Sequence, residues 1–411
     1  MNDHADIIVI GAGLAGLNAA LTAHLAGRSV VLLEASDAIG GRVRTDIVDG
    51  LQLDRGFQIL NPAYPELQRL GVLEELDLRA FDAGIMVATE QGIARLGDPL
   101  RLPHWLLSAL SPSTGDIQDK AKLVAALGKS WMRASLDTPN NTVGSVSASL
   151  LRDGVSDRMY ARLLKPFLTG VFLDDPERVA AGYGDFVLRS FISGTPAVPS
   201  RGMGALPAAL AMRLPYDAIR CGVKVSRVES GRVESSEGSF TGGAVIIAVN
   251  PNQAREWFPR IGVPETRSCT TWYHVTETSP TADRAILVDA LHRGPVVNSV
   301  AISKVAPSYA SRGRVLISST TLGNIASVEQ EMQVRSHLAQ MWGVATSDWD
   351  LVRTDVIEEA LPSMPVGHPL TQQVELGDGL FVAGDHRETP SQQGALRSGR
   401  RAAEQAMRHL G

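Results

Sequence analysis

The sequence predicts an α/β protein: a Rossmann-like domain joined to an α+β domain with a helical lid and an antiparallel sheet. Three observations predict it. An apolar run, Asp6–Ile10, enters the glycine-rich turn Gly11-Ala-Gly-Leu-Ala-Gly16 near the N-terminus. The tail carries a second strand-then-helix unit, LFVAGD (Leu380–Asp385) followed by PSQQGALRSGRRAAEQAM. Between Thr270 and Thr320 lie β-rich runs (TTWYHV, AILV, RVLISSTT) that suit an antiparallel sheet.

The run Asp6–Ile10 is almost wholly apolar, as a parallel strand covered on both faces requires. Leu14, Leu17, Leu21 and Leu25 then recur at helical spacing, and Gly27 ends the helix. A second apolar strand, Ser29–Leu33, closes on Glu34, an acid 18 residues beyond the last glycine. In a G-x-G-x-x-G turn, Gly11 permits the tight bend and Gly13 lets backbone approach a pyrophosphate. Gly16 lets helix and strand pack closely. Leu14 and Ala15 fill the turn, where unpaired N–H groups and the helix dipole favour negative charge. Glu34, with Ala35 beside it, can accept hydrogen bonds from both ribose hydroxyls and would repel a 2′-phosphate, which argues against NADP.

At 411 residues the chain suits roughly two or three domains. Its 44% hydrophobic and 20% charged content is ordinary globular usage. A net charge of −5 gives no electrostatic reason to expect nucleic acid as a partner. Cys221 and Cys269 are read as free thiols in a reducing compartment, with no metal site. MNDHAD lacks a secretory pattern, and no run of about 18 apolar residues predicts a spanning helix. A cytoplasmic protein is expected. The segment Leu100–Leu110 (LRLPHWLLSAL) reads as a buried helix, with peripheral membrane contact as the alternative.

After Glu34 the chain reads ASDAIGGRVRTD, where Gly40 and Gly41 allow backbone shapes closed to other residues. Arg42 can put a guanidinium on the same diphosphate. GAGLAG followed by LLEASDAIGGR resembles the opening of the flavoprotein superfamily containing monoamine oxidase, phytoene desaturase and protoporphyrinogen oxidase. The resemblance implies FAD and a Rossmann-like FAD-binding domain of the glutathione-reductase/amine-oxidase type. LDRGFQI (Leu53–Ile59) resembles the family segment beneath the isoalloxazine, so Gly56, Phe57 and Gln58 would touch the flavin. Val225 would clamp the adenine through its backbone. Gly384 and Asp385 would lie at the ribityl or diphosphate oxygens. The helix start at Gln393, Gly394 and Ala395 would aim N–H groups at the flavin's N1 and O2. The family's covalent-attachment cysteine has no match, Cys221 and Cys269 being expected elsewhere, so the FAD is expected to be non-covalent.

The resemblance also implies two discontinuous domains: FAD-binding from 1–80, 196–258 and 357–411, substrate-binding from 81–195 and 259–356. Phe81 to Ser193 reads mostly helical. One helix starts at Ser156, with Met159, Leu163, Leu164, Phe167, Leu168 and Val171 on one face, and another follows Asp175-Pro176-Glu177. A further helix runs from Ser327 to about Trp342, closed by Gly343.

The expected reaction is hydride removal from a hydrophobic small molecule to flavin N5, with reoxidation by oxygen, a quinone or another acceptor. The tyrosine that amine oxidases of this family carry ahead of the tail's GA is replaced by Ser391-Gln392-Gln393, which weakens an amine substrate. LLKPFLTGVFL (Leu163–Leu173), the Met203 loop and GDHRETPSQQGA look more like the phytoene desaturase and protoporphyrinogen oxidase branch. Amine oxidation is the alternative within the fold. A non-enzymatic lipid or prenyl-protein binder is the alternative from another class. His386 and Arg387 are candidates for proton transfer or substrate orientation, with bracing of their loop as the competing role.

Overall fold

The computed structural model describes residues 4–97, 101–105, 115–136 and 142–411. Its first layer is a parallel sheet ordered 219–221, 30–34, 4–10, 238–247, 380–382. Strands 225–229 and 232–235 extend it antiparallel, and 375–377 pairs antiparallel with 380–382. Ile7, Ile8, Val9 and Ile246 are fully buried, as the unbroken apolar runs require.

The two ends of the chain meet on one side of this sheet. Helix Leu14–Leu25 packs against the C-terminal helix Gln392–Leu410, where Asn18 Nδ2 donates to the Leu396 carbonyl at 2.7 Å. A Cβ on Gly399 would lie 2.0 Å from the Ala15 carbonyl oxygen, so only glycine permits this approach. Ser391 caps the C-terminal helix by accepting from the Gly394 amide.

A seven-stranded sheet forms the second layer, ordered 350–362, 266–276, 315–322, 296–301, 287–289, 84–89, 92–97. It is antiparallel except where 287–289 runs parallel to 84–89. The hairpin Gly84–Thr89/Gly92–Gly97 corrects the mostly helical reading of Phe81–Ser193. Helices 117–133, 146–152, 157–172 and 181–193 do occupy the described remainder of that segment.

The helix from Asp157 is capped by Ser156 as expected, but it widens to a π-turn at Tyr160–Leu164. Pro166 lies two residues beyond it, and its missing N–H interrupts the regular ladder. The helix expected after Asp175 starts instead at Ala181. Asp175 accepts from the Glu177 amide and closes a single turn, after which Val179 and Ala180 extend to bridge Pro365 and Ser145. Helix Val328–Trp342 has Ser327 as its cap and Gly343 in the left-handed region at φ 67°, as read. Of the expected helix at Leu100–Leu110, a short turn at Pro103–Trp105 with Trp105 buried is seen; residues 100 and 106–110 lie outside the described residues. Among the described residues no helix is long and apolar enough to cross a membrane.

Candidate active site

One continuous cavity of about 690 Å³ runs from the glycine turn to the seven-stranded sheet. That volume falls within the range of small-molecule and cofactor sites. Gly11, Gly13, Leu14 and Ala15 line one end, with Glu34, Ala35, Gly41 and Arg42. The turn is built as its glycines demand. Gly11 has φ 101° and donates to the Leu33 carbonyl, and a Cβ on Gly16 would lie 1.8 Å from the Gly11 oxygen. Gly16 therefore serves packing and does not reach the cavity. Gly13 differs: a Cβ there would meet nothing within 4 Å. The fold leaves that space open on the cavity side, which fits a cradle kept clear for a ligand.

Glu34 Oε2 accepts from the Ala12 amide at 2.7 Å, and Oε1 accepts from the Ser36 amide and hydroxyl. An ionised carboxylate keeps further lone pairs, so ribose hydroxyls can still donate to it. The Gly40 amide donates to the Ala12 carbonyl, which fixes the second glycine pair against the first. Arg42 then reaches the other end of the chain: its guanidinium donates to Asp385 Oδ1 at 2.7 Å and to the Ala360 carbonyl at 2.9 Å.

Gly56, Phe57 and Gln58 line the middle of the cavity beside Gly384, Asp385 and Ala395. Phe57's amide donates to Thr271 Oγ1, and Gln58 Nε2 to the Arg42 carbonyl, so this segment bridges the two layers. Val225 lines the cavity beside Lys224 and Trp257. Two expectations for the C-terminal helix are corrected. Gln393 faces away, its Oε1 accepting from the Glu66 amide. Gly394 is packed where a Cβ would sit 1.9 Å from the Thr389 oxygen. The amides of Gly394 and Ala395 donate to Ser391, so neither is free for a ligand.

His386 and Arg387 also stand off the cavity. Arg387 donates to the carbonyls of Gln373 and Gly262, a bracing role. His386 is buried, both ring nitrogens lack partners, and burial pulls its pKa down to about 4, so it is neutral at pH 7. Cys269 is the opposite case. It was expected away from the site and lines the cavity, its thiol pushed up to about 12 by burial.

Beyond the Phe57 segment the cavity opens into a chamber that motif spacing did not reveal. Helices 157–172 and 181–193 contribute Phe167, Val171, Val187 and Phe191, and strand 287–289 and the residue before it contribute Val288 and Ile286. Phe167 and Phe191 meet edge to face at 5.1 Å. Tyr64 and Tyr183 also face it, and Tyr183's hydroxyl donates to the Pro390 carbonyl at 2.6 Å. Polar wall residues are Asn61, Ser190, Asn298, Thr320 and Gln392.

Comparison with solved structures shows the same fold. An oxidoreductase from Methanosarcina mazei superposes with a TM-score of 0.74 over 97% of this chain and 99% of its own, at 16% identity. Cyclohexylamine oxidase from Brevibacterium oxydans gives 0.73 over 99% of both, at 18% identity. Among curated proteins, putrescine oxidase of Kocuria rosea is 46% identical over 76 residues, 18% of this chain and 16% of its own length. Protoporphyrinogen oxidase 2 of Arabidopsis thaliana is 25% identical over 174 residues, 42% of this chain and 34% of its own. The chain thus spans well under half the length of either. Hydroxysqualene dehydroxylase of Rhodopseudomonas palustris is 25% identical over 436 aligned positions, covering 96% of this chain and 97% of its own. With the family model for flavin containing amine oxidoreductases matched across residues 14–407, the chain belongs to that family.

Proposed function

We propose that the protein holds FAD non-covalently and removes hydride from a hydrophobic small molecule in the chamber. The observation that carries this reading is the chamber's chemistry. Its walls are mainly aliphatic and aromatic with neutral polar groups among them, and the acidic lining residues, Glu34 and Asp385, are bonded to the glycine turn and to Arg42. Asp385 acts electrostatically on Tyr183, but it is already paired with Arg42, so a cationic amine would have to compete with that guanidinium for it. The near full-length alignment with a hydroxysqualene dehydroxylase supports a hydrophobic substrate.

In this reading FAD supplies the hydride acceptor, as in other flavoproteins. Gly11, Gly13, Leu14 and Ala15 approach the pyrophosphate, Glu34 and Ala35 hold the adenosine ribose, and Lys224 and Val225 border the adenine. Gly41, Arg42, Gly384 and Asp385 hold the centre of the dinucleotide. Gly56, Phe57, Gln58 and Ala395 border the ring. The chamber's helices exclude water and orient the C–H bond that reacts. The electrons held by reduced FAD would then pass to oxygen, a quinone or another acceptor. The 1–80, 196–258 and 357–411 pieces act as the FAD-binding unit and the rest as the substrate unit.

Amine oxidation is favoured by one observation, the pair Tyr64 and Tyr183 facing the cavity. Anaerobic mixing of the purified yellow protein with isoprenoids, porphyrinogens and amines decides between them. Bleaching by an apolar compound supports the proposal, and bleaching by simple amines alone defeats it.

A further inference from the structure

In the chamber, several polar wall groups are already satisfied by the protein. Asn61 donates to the Ser190 carbonyl and accepts from the Ala63 amide. Ser190 donates to the Phe186 carbonyl, and Tyr183 to that of Pro390. Three others are not. Asn298 Oδ1, Thr320 Oγ1 and Gln392 Oε1 are buried without a hydrogen-bond partner. Gln392 is held in place from its other end, Nε2 donating to the Ile59 carbonyl at 3.3 Å.

The placement of these groups is specific. Asn298 and Thr320 face each other across adjacent strands, and the ladder is irregular between Val296 and Asn298. Such bulges re-aim side chains beside active sites. On the opposite face of the same strands the hydroxyls are paired: Ser299 meets Ser319 at 2.9 Å, and Trp342 Nε1 donates to Ser299. A buried polar group left unpaired is costly, so such groups beside one cavity call for a partner inside it.

We propose that Asn298 and Thr320 form a neutral anchor for one uncharged hydroxyl on an otherwise apolar substrate. A hydroxyl suits the set because it donates to an amide oxygen and accepts from Thr320 or an amide N–H. A charged head group does not suit it, since the charged lining residues Glu34, Arg42, Arg55, Lys224 and Asp385 lie on the dinucleotide and ring-bordering segments. These residues set specificity by position, and the inference rests on the apolar-substrate reading above.

The test uses the flavin-loaded protein and two probes, the isoprenoid alcohol farnesol and the matched hydrocarbon farnesene. Binding is followed by perturbation of the bound-flavin absorbance, without turnover. Farnesol is expected to bind at least about 10-fold more tightly. Thr320→Val, which conserves shape, and Asn298→Leu should each narrow that gap about 3- to 10-fold while leaving farnesene affinity unchanged. Thr320→Ser, which retains the hydroxyl, should keep the gap. Equal binding of both probes by the wild type, or equal weakening of both by the variants, overturns the anchor while the apolar chamber stands. If neither probe binds and the flavin stays bound, the apolar-substrate reading falls and takes the anchor with it.

Discussion

The Arg42 guanidinium donates to the Asp385 carboxylate at 2.7 Å across 343 positions of sequence. Asp385 is buried, whereas the Arg42 side chain keeps 39% of its exposure and can turn a further N–H toward the cavity. The pair joins the glycine-rich N-terminal loop to the strand end that precedes the C-terminal helix.

Removing the cation should therefore act on both folding and flavin. Arg42→Ala leaves Asp385 as an unpaired buried charge beside the dinucleotide. We expect flavin affinity to fall by roughly 30-fold, about 2 kcal/mol. Flavin content after dialysis and a titration with FAD measure this. Arg42→Lys restores the charge without the fork and should recover only part of the loss. An Arg42→Ala protein that binds FAD like the wild type would remove the pair from the site.

Gly13 and Gly16 offer a cleaner separation. Gly16→Ala drives a methyl to 1.8 Å from a backbone oxygen that cannot move independently of the turn. It should cost about 3 kcal/mol or more and lower the melting temperature even without flavin. Gly13→Ala meets only open space, at φ −73°, a value any residue adopts. Its flavin-free protein should melt within about 0.5 kcal/mol of the wild type, while FAD affinity drops at least about 10-fold. Thermal shift with and without FAD reads both effects.

These motif positions were legible in the sequence because each rests on a local rule. A strand, a turn that only glycine can make and a helix follow one another within thirty residues, and the tail repeats that logic with Ser391 as its cap. The chamber was not legible in this way. Asn298 faces it through an irregularity in the strand ladder, which alternation of residue types does not reveal. Tyr183 arrives on a helix whose start was displaced from Asp175 to Ala181 by bridges to Ser145 and Pro365. Gly394 departs from expectation because the cap that predicts its helix also consumes its amide, and Gln393 because its side chain turns to the Glu66 amide. Cys269 matches no attachment cysteine of the family and is expected elsewhere, yet its strand, Thr266–Thr276, runs beside the cavity.

Cys269 bears on how the cofactor is held. Its thiol, with its pKa pushed up to about 12, is protonated at neutral pH and is a poor nucleophile. Acid precipitation of the purified protein should release all yellow colour into the supernatant, with Cys269→Ser behaving the same way. Colour retained in the pellet by the wild type and lost from the Ser variant would establish a covalent bond at this residue.

Asp54 and His386 should give opposite pH dependences. Asp54 is buried; it accepts from Thr45, the Met203 amide and Tyr309, yet burial lifts its pKa from 3.8 to about 6. Between these values the native state holds a proton that the unfolded chain has lost, so this group makes stability fall as pH rises from about 4 to 6. His386 runs the other way. Its pKa drops from 6.5 to about 4, so the unfolded chain binds the extra proton and stability rises with pH across nearly the same window. Each contributes up to about 3 kcal/mol, and in the wild type they largely cancel. Asp54→Asn should leave a protein whose stability climbs steeply from pH 4 to 6.5, and His386→Leu one whose stability declines there. Urea midpoints at closely spaced pH values measure the slopes, and two parallel curves would show that neither burial shift exists. The same His386→Leu protein separates bracing from proton transfer: turnover with an unshifted pH profile is expected, because the ring stands off the cavity.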